Sequence, residues 1–209
     1  MGRTRMVASL ATIAALIGWV GLALQLWIML GNMGLVPALW RFFGFFTILA
    51  NLGAAAVATA VAFGSDGPLA GARARLMAAT SILMVGLVYS VALRALWNPT
   101  GLQKVADVAL HDAAPLTWAI LWLITPHTRL GWKEIWWALM PPAAYVAYAM
   151  IRGALDGWYA YWFMNPAIQT SAAFAMCIAI LLGGFSLAAA VLIAADRMIG
   201  KRAAAPATV

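Results

Sequence analysis

Six long apolar stretches dominate this chain and leave little room for any other kind of structure. They cover roughly residues 6–30, 42–63, 76–97, 105–124, 134–152 and 167–195. A helix needs about 20 apolar residues to cross the hydrocarbon core of a bilayer. The chain is 66% hydrophobic and only 9% charged over 209 residues, which excludes an ordinary water-soluble domain. The sequence therefore predicts an all-α, polytopic membrane protein with six transmembrane helices.

The connections between these stretches are short and rich in turn-forming residues. Gly31–Gly34, Gly64–Pro68 and Asn98–Gly101 all contain glycine together with proline or asparagine. None of them is long enough to hold a soluble domain. We therefore expect residues 1–209 to form a single transmembrane domain.

Lysine and arginine predict the orientation of the spans. Placing the N-terminus inside puts nine basic residues on the cytoplasmic side and four on the other, so both termini are predicted to be cytoplasmic. The cytoplasmic set is Arg3, Arg5, Arg73, Arg75, Arg129, Lys133, Arg197, Lys201 and Arg202, and the outer set is Arg41, Arg94, Lys104 and Arg152.

The basic residues also bear on partners and location. The net charge is +7, but these residues are scattered at the ends of apolar stretches rather than clustered on one face. This favours contacts with membrane lipids and argues against nucleic acid as a partner. The ten arginines and three lysines, with many alanines, are typical of a GC-rich bacterial genome, which predicts the bacterial inner membrane.

Aromatic residues are expected to form belts at the two membrane surfaces. The predicted inner belt is Trp132, Trp136 and Trp137, and the predicted outer belt is Trp158, Tyr159, Tyr161 and Trp162.

Polar side chains collect at the predicted outer ends of the helices, whereas the inner halves are nearly pure hydrocarbon. A pore would need polar lining down to the cytoplasmic face. The pattern therefore predicts a polar pocket confined to the outer half. The polar residues are Gln25, Thr47, Asn51, Tyr89, Ser90, Arg94, Lys104, Asp107, His111, Asp112, Tyr145, Tyr148, Arg152, Gln169 and Thr170.

Thr47 and His111 are predicted to lie at the same depth on two different helices. At 1.5 Å per residue, Thr47 lies about 9 Å inward from Arg41, and His111 about 10 Å inward from Lys104. A threonine hydroxyl becomes a usable nucleophile when an adjacent base accepts its proton. Asp107, one helical turn before His111, is placed to hold the other ring nitrogen. These three residues are the candidate catalytic group.

Six further residues are candidates for contacting a substrate in the same pocket. Arg94, Asn51 and Gln25 could stabilise an oxyanion, and the sequence does not choose among them. Ser90, Tyr148 and Arg152 complete the set of polar candidates.

Each of these residues also has a purely structural interpretation. A threonine in a membrane helix most often bonds to its own backbone or bridges two helices, and either would give Thr47 a structural role. Asp107 could pair with Lys104 or cap its helix. Arg94 and Arg152 could extend to the outer interface.

No pattern in the chain indicates a metal or another cofactor. Cys177 is the only cysteine, and His127 lies about 24 Å along the helix from His111. Zinc-ligand spacing, glycine-rich phosphate loops and the hydrolase nucleophile elbow are all missing from the sequence. We therefore predict no cofactor.

Three stretches of the chain resemble a known family. They are residues 45–51 (Phe-Phe-Thr-Ile-Leu-Ala-Asn), residues 107–111 followed by Pro115, and residues 157–163 (Gly-Trp-Tyr-Ala-Tyr-Trp-Phe). With six predicted spans in this order, the chain resembles a bacterial relative of the androgen-induced and androgen-dependent six-helix membrane hydrolases. The chain departs from the family at Ala160 and Trp162, where prolines are common, and in a His111-to-Pro115 spacing that is one residue shorter.

The resemblance implies an activity. The animal members are threonine hydrolases that cleave fatty-acid esters of hydroxy fatty acids, using one threonine and one histidine. Those positions fall on Thr47 and His111. The resemblance thus implies a lipid substrate with long acyl chains and an acyl-threonine intermediate.

A different class of function fits the same polar pocket. The protein could bind or transport a lipid or a small ligand there without chemistry, with His111 and Asp107 responding to pH. A nucleophile at position 47 tolerates serine far better than valine, whereas a binding site treats the two alike.

Overall fold

The computed structural model describes residues 2–126 and 130–204, and this part of the chain is helical and contains no strand. The helices are α1 Gly2–Met33, α2 Leu35–Phe42, α3 Phe46–Ala62, α4 Ala72–Val88, α5 Gly101–Val108, α6 Ala114–Ile124, α7 Ile135–Asp156 and α8 Ser171–Ala204. The all-α prediction is confirmed for these residues. His127, Arg129 and the side chains of Arg3, Lys201 and Arg202 lie outside what the structure describes.

Several helices are long and apolar enough to cross a membrane. Thr4–Met33, Ala72–Leu96 and Ser171–Gly200 each qualify on their own. The bent pair Leu35–Phe42 and Phe46–Ala62 adds a fourth if it is counted as one span. The described residues therefore contain three to four candidate membrane spans.

Small residues bring α1 and α3 into close contact. Ala11, Ala14, Ala54 and Ala58 are each at most 2% exposed and belong to one buried cluster. In membranes, small side chains at a helix–helix contact let the two backbones approach closely. This packing fixes the position of α3 relative to the rest of the bundle.

The chain bends by 78° between α2 and α3. Phe45, in the break, has an extended backbone with φ −96° and ψ 132°. A helix end leaves its last carbonyl groups without partners inside the helix. The carbonyl oxygens of Trp40, Phe43 and Gly44 therefore need hydrogen-bond donors from elsewhere.

One face of α7 supplies all three donors. The pairs are Tyr145 Oη to Gly44 O (2.8 Å), Tyr148 Oη to Phe43 O (3.1 Å) and Arg152 Nη2 to Trp40 O (2.6 Å). Arg152 is 4% exposed and its guanidinium stacks on Trp40 at 4.0 Å. Arg152 is therefore buried within the protein against the end of α2.

Two π turns lie next to each other, one after α4 and one between α5 and α6. α4 continues through Tyr89–Leu93, and α5 joins α6 through Ala109–Ala113. Pro115 has no N–H to bond the carbonyl of His111 four residues earlier, which favours the wider turn. A side chain at Gly86 would meet the ring of Pro115 at 2.9 Å and the carbonyl oxygen of His111 at 3.1 Å. Glycine at this position therefore allows the two helices to approach.

We predict that Arg152→Met lowers the thermal stability of the protein in detergent. The Trp40 carbonyl would lose a charged donor, a loss of about 1.5–3 kcal/mol. Arg41→Met is the matched control, since the exposed Arg41 guanidinium stacks on Trp158 at 4.6 Å. Unfolding temperatures measured by tryptophan fluorescence should fall clearly only for Arg152→Met. Equal temperatures for both variants would contradict the proposed role of Arg152 at the bend.

Candidate active site

Thr47 is the second residue of α3, so no carbonyl of the same helix lies four residues before it. Its Oγ1 lies 3.4 Å from His111 Nε2 and 3.4 Å from Tyr161 Oη. The Thr47 hydroxyl therefore contacts other segments of the chain rather than the backbone of its own helix. A hydroxyl bond to the carbonyl four residues earlier in the chain does occur at Thr12, Thr59, Thr117, Thr125 and Ser186.

His111 is held from two sides within the second π turn. Its Nδ1 lies 3.0 Å from the carbonyl oxygen of Asp107 and 3.2 Å from Asp107 Oδ1. Its ring stacks on Tyr89 with centroids 3.9 Å apart and planes 18° apart. Since both neighbours of Nδ1 are acceptors, the proton belongs on Nδ1, and Nε2 presents its lone pair to Thr47.

Asp107 is buried, with 3% of its surface exposed, and its two carboxylate oxygens have different partners. Oδ1 faces His111, and Oδ2 accepts a hydrogen bond of 2.6 Å from Tyr89 Oη. Asp107 lies in the last turn of α5 rather than at its N-terminus, so it does not cap that helix. The side chain instead fixes the orientation of His111.

Tyr161 is the main site residue that the sequence did not predict. It was expected in the outer aromatic belt, but it is 9% exposed and packs against Phe45, Tyr145 and Phe163. Its Oη accepts the backbone N–H of Thr47 at 3.3 Å. The two residues are 114 positions apart, and Tyr161 lies between helices, where no periodicity indicates which way a side chain points.

A cavity of about 440 Å³ opens beside these groups. Its walls come from the C-terminal part of α1, the segment that follows α4, the start of α3, α5 with the π turn after it, and residues 160–161. Gln25 Oε1 accepts a 2.7 Å hydrogen bond from Gln103 Nε2 in the wall. Most other wall residues are apolar, which is typical of a small-molecule site with a few polar anchors. The polar groups of the site that line it are Thr47, Tyr89, Asp107, His111 and Tyr161.

Asn51 links the two backbone segments that carry Thr47 and His111. It is 1% exposed, and its Nδ2 donates to the carbonyl oxygens of Thr47 at 2.8 Å and Leu110 at 3.3 Å. These two bonds tie the first turn of α3 to the π turn that carries His111. The wall of the 440 Å³ cavity does not include Asn51.

Of the remaining predicted candidates, Gln25 alone lies in the wall of the cavity. The exposed Arg94 pairs with Asp112 and lies 3.4 Å from Ser90 Oγ. Tyr148 and Arg152 hold the α2–α3 bend, as described above. None of these side chains belongs to the wall of the cavity.

Among the described residues, no three histidine, cysteine, aspartate or glutamate side chains come close enough to hold a metal ion. No family model, curated protein or solved structure matches this chain. The family resemblance drawn from residues 45–51, 107–115 and 157–163 therefore stays a prediction.

Proposed function

We propose that this protein is an intramembrane lipid ester hydrolase in which Thr47 is the nucleophile and His111 the general base. One observation carries the proposal. A continuous set of contacts runs from Tyr161 through Thr47 and His111 to the buried Asp107. A nucleophile, a base and a group that orients the base form the usual arrangement for acyl transfer.

The Asp107 carboxylate can only accept hydrogen bonds, so it determines which group donates and which accepts along this set of contacts. The Asp107 carboxylate accepts from Tyr89 Oη and from His111 Nδ1, which leaves Nε2 to accept the proton of Thr47. Tyr161 Oη accepts the Thr47 N–H and has its own proton to donate. Asp107 is therefore the acceptor, His111 donates from Nδ1 and accepts at Nε2, and Thr47 donates its hydroxyl proton.

The reaction then proceeds in two halves. Thr47 Oγ1 forms a bond to the ester carbonyl carbon while His111 Nε2 takes the hydroxyl proton. The carbon–oxygen bond to the alcohol breaks, and His111 returns that proton to the departing oxygen. Water then attacks the acyl carbonyl carbon while His111 takes its proton. The bond from that carbon to Thr47 Oγ1 breaks, His111 returns the proton to Oγ1, and the acid leaves.

Two donors beside Thr47 are placed to stabilise the negative oxygen of the tetrahedral intermediate. The Thr47 backbone N–H lies in the first turn of α3. Amide N–H groups there have no acceptor within the helix, and they stabilise a negative charge placed at the helix N-terminus. Tyr161 Oη lies next to both this N–H and Oγ1. We assign Tyr161 this role in place of Arg94, Asn51 and Gln25, the donors that the sequence suggested.

The membrane setting is part of the proposal. We propose six spans with both termini in the cytoplasm, the cavity in the outer half, and a bacterial inner-membrane location. Substrate lipids, each with a long hydrocarbon chain, would enter from the outer leaflet. The resemblance to hydrolases of fatty-acid esters of hydroxy fatty acids supports this substrate class, and no cofactor is required.

We predict that Thr47→Ala, Thr47→Val and His111→Ala each lower lipid-ester turnover by about a thousandfold or more, because the nucleophile and base act as a unit. Thr47→Ser should retain much of the activity. The measurement is mass spectrometry of a lipid-ester panel incubated with each purified, folded variant.

A protein that only binds or transports lipid would give a different result in the same experiment. It would return every ester intact, and Thr47→Ser and Thr47→Val would bind lipid equally well. Full activity in Thr47→Ala or His111→Ala would likewise contradict the hydrolase assignment.

We predict that Tyr161→Phe lowers kcat by about a hundredfold to a thousandfold with little change in KM, as expected for loss of an oxyanion donor. Tyr159→Phe is the matched control, because Tyr159 lies outside the cavity wall and is not one of the residues that donate to the α2–α3 bend. The wild type should prefer an ester over its thionoester, and Tyr161→Phe should lose that preference. A purely structural Tyr161 would leave the ratio unchanged.

A further inference from the structure

Amide side chains form a second polar group in the wall of the 440 Å³ cavity, in addition to the groups around Thr47. Gln25 and Asn32 on α1 and Gln103 on α5 all line it. Gln25 and Asn32 are two helical turns apart and lie on one face of α1. The proposed reaction uses none of these three side chains.

The Gln25–Gln103 pair lies at a different level of the cavity from the reacting groups. A Cβ at Gly21 of α1 would meet Leu110, the residue next to His111, at 2.9 Å, so Gly21 lies at the level of the reacting groups. From that level, Gln25 lies about 6 Å along α1 and Gln103 about 10 Å back along α5 and its π turn. A substrate that reacts beside His111 therefore meets the amide pair through a second group, several bonds away from its ester.

The bond between the two glutamines leaves hydrogen-bonding capacity on both. Gln103 Nε2 donates to Gln25 Oε1 at 2.7 Å. Because each amide has two N–H donors and one carbonyl acceptor, this bond leaves donors on both residues and the carbonyl oxygen of Gln103 for another partner. A hydroxyl or a carboxamide uses both kinds of position, whereas a carboxylate only accepts and an ammonium only donates.

The charge of the wall disfavours an anionic group in this cavity. Among the described residues that line it there is no lysine or arginine, and Asp107 is the one acidic residue. Lys104 follows Gln103 in the chain, but Lys104 is exposed and does not belong to the wall. A carboxylate or phosphate in the cavity would lose water without gaining a cation, and the Asp107 carboxylate would repel it.

We propose that the Gln25–Gln103 pair binds an uncharged polar group, a hydroxyl or a carboxamide, of the lipid ester that Thr47 cleaves. This inference rests on the hydrolase function proposed above and adds a recognition element to it. The substrates are esters with such a group several carbon atoms from the ester bond. A free carboxylate, which esters of hydroxy fatty acids carry, binds less well at this position.

Two series of esters test the proposal on the purified full-length protein in detergent micelles. The first joins hexanoate to octanol whose far end carries a methyl, hydroxyl, carboxamide, carboxylate or ammonium group. The second joins hexanol to octanoate with the same five ends. In at least one series, kcat/KM should be about tenfold higher for the hydroxyl and carboxamide ends than for the methyl end, because each gains a hydrogen bond. The charged ends should not exceed the methyl end.

Variants of the pair then locate the bound group. Gln25→Leu and Gln103→Leu should each bring the hydroxyl-to-methyl ratio of kcat/KM close to one. Gln103→Lys should raise the carboxylate-to-hydroxyl ratio about tenfold, because it places a cation in the wall. Asn98→Leu is the matched control and should keep the wild-type ratios, because Asn98 is an exposed amide outside the wall.

The outcomes separate this inference from the function on which it rests. Equal cleavage of all five ends, a wild-type preference for a charged end, or a hydroxyl-to-methyl ratio that survives both leucine variants would overturn the assignment of the amide pair. Each of these results would leave the hydrolase intact. If no ester in either series is cleaved in a Thr47-dependent way, the hydrolase proposal fails and this inference fails with it.

Discussion

The break between α2 and α3 is the constraint on which the candidate site depends. An unbroken helix through residues 35–62 would give Thr47 a carbonyl partner four residues back, and its hydroxyl would be occupied as those of Thr59 and Thr117 are. The 78° bend instead makes Thr47 part of a first helical turn. Its hydroxyl and N–H are both released for contacts outside the helix.

Such a break in an apolar setting requires compensation, because exposed carbonyl groups are costly there. α7 provides it through Tyr145, Tyr148 and Arg152, which donate to the carbonyl oxygens of Gly44, Phe43 and Trp40 in the broken segment. The same helix thus stabilises the bend without entering the cavity beside His111. Tyr148 and Arg152, which the sequence predicted as substrate contacts, instead stabilise the bend that positions Thr47.

The opposite wall of the site depends on two π turns. Gly86 and Pro115 let α4 and the α5–α6 helix approach closely, and this brings Tyr89 against His111. Tyr89 and His111 then share the buried carboxylate of Asp107. Wide turns of this kind are frequent at functional sites, since they re-aim a side chain without ending the helix.

The sequence predicted the helical class, and it grouped Thr47, His111 and Asp107 from helix rise and helical periodicity. The rise to Thr47 was counted along an unbroken helix from Arg41, whereas the chain bends by 78° between these two residues, so the contact of Thr47 with His111 does not follow from that count. The structure brings these residues together at 3.2–3.4 Å. Tyr161 was assigned to a belt because its segment lies between helices and has no period. The role of Arg152 was missed because an unsatisfied carbonyl at a bend leaves no trace in the pattern of side chains.

A fluorophosphonate probe with peptide mapping tests the central claim most directly, because the probe phosphonylates an activated hydroxyl far faster than an ordinary one. The proposed roles predict a single adduct on Thr47 in the wild-type protein, and none on the same peptide of His111→Ala. An unlabelled Thr47 beside a serine hydrolase that labels normally would contradict them. So would labelling of Thr47 that does not depend on His111.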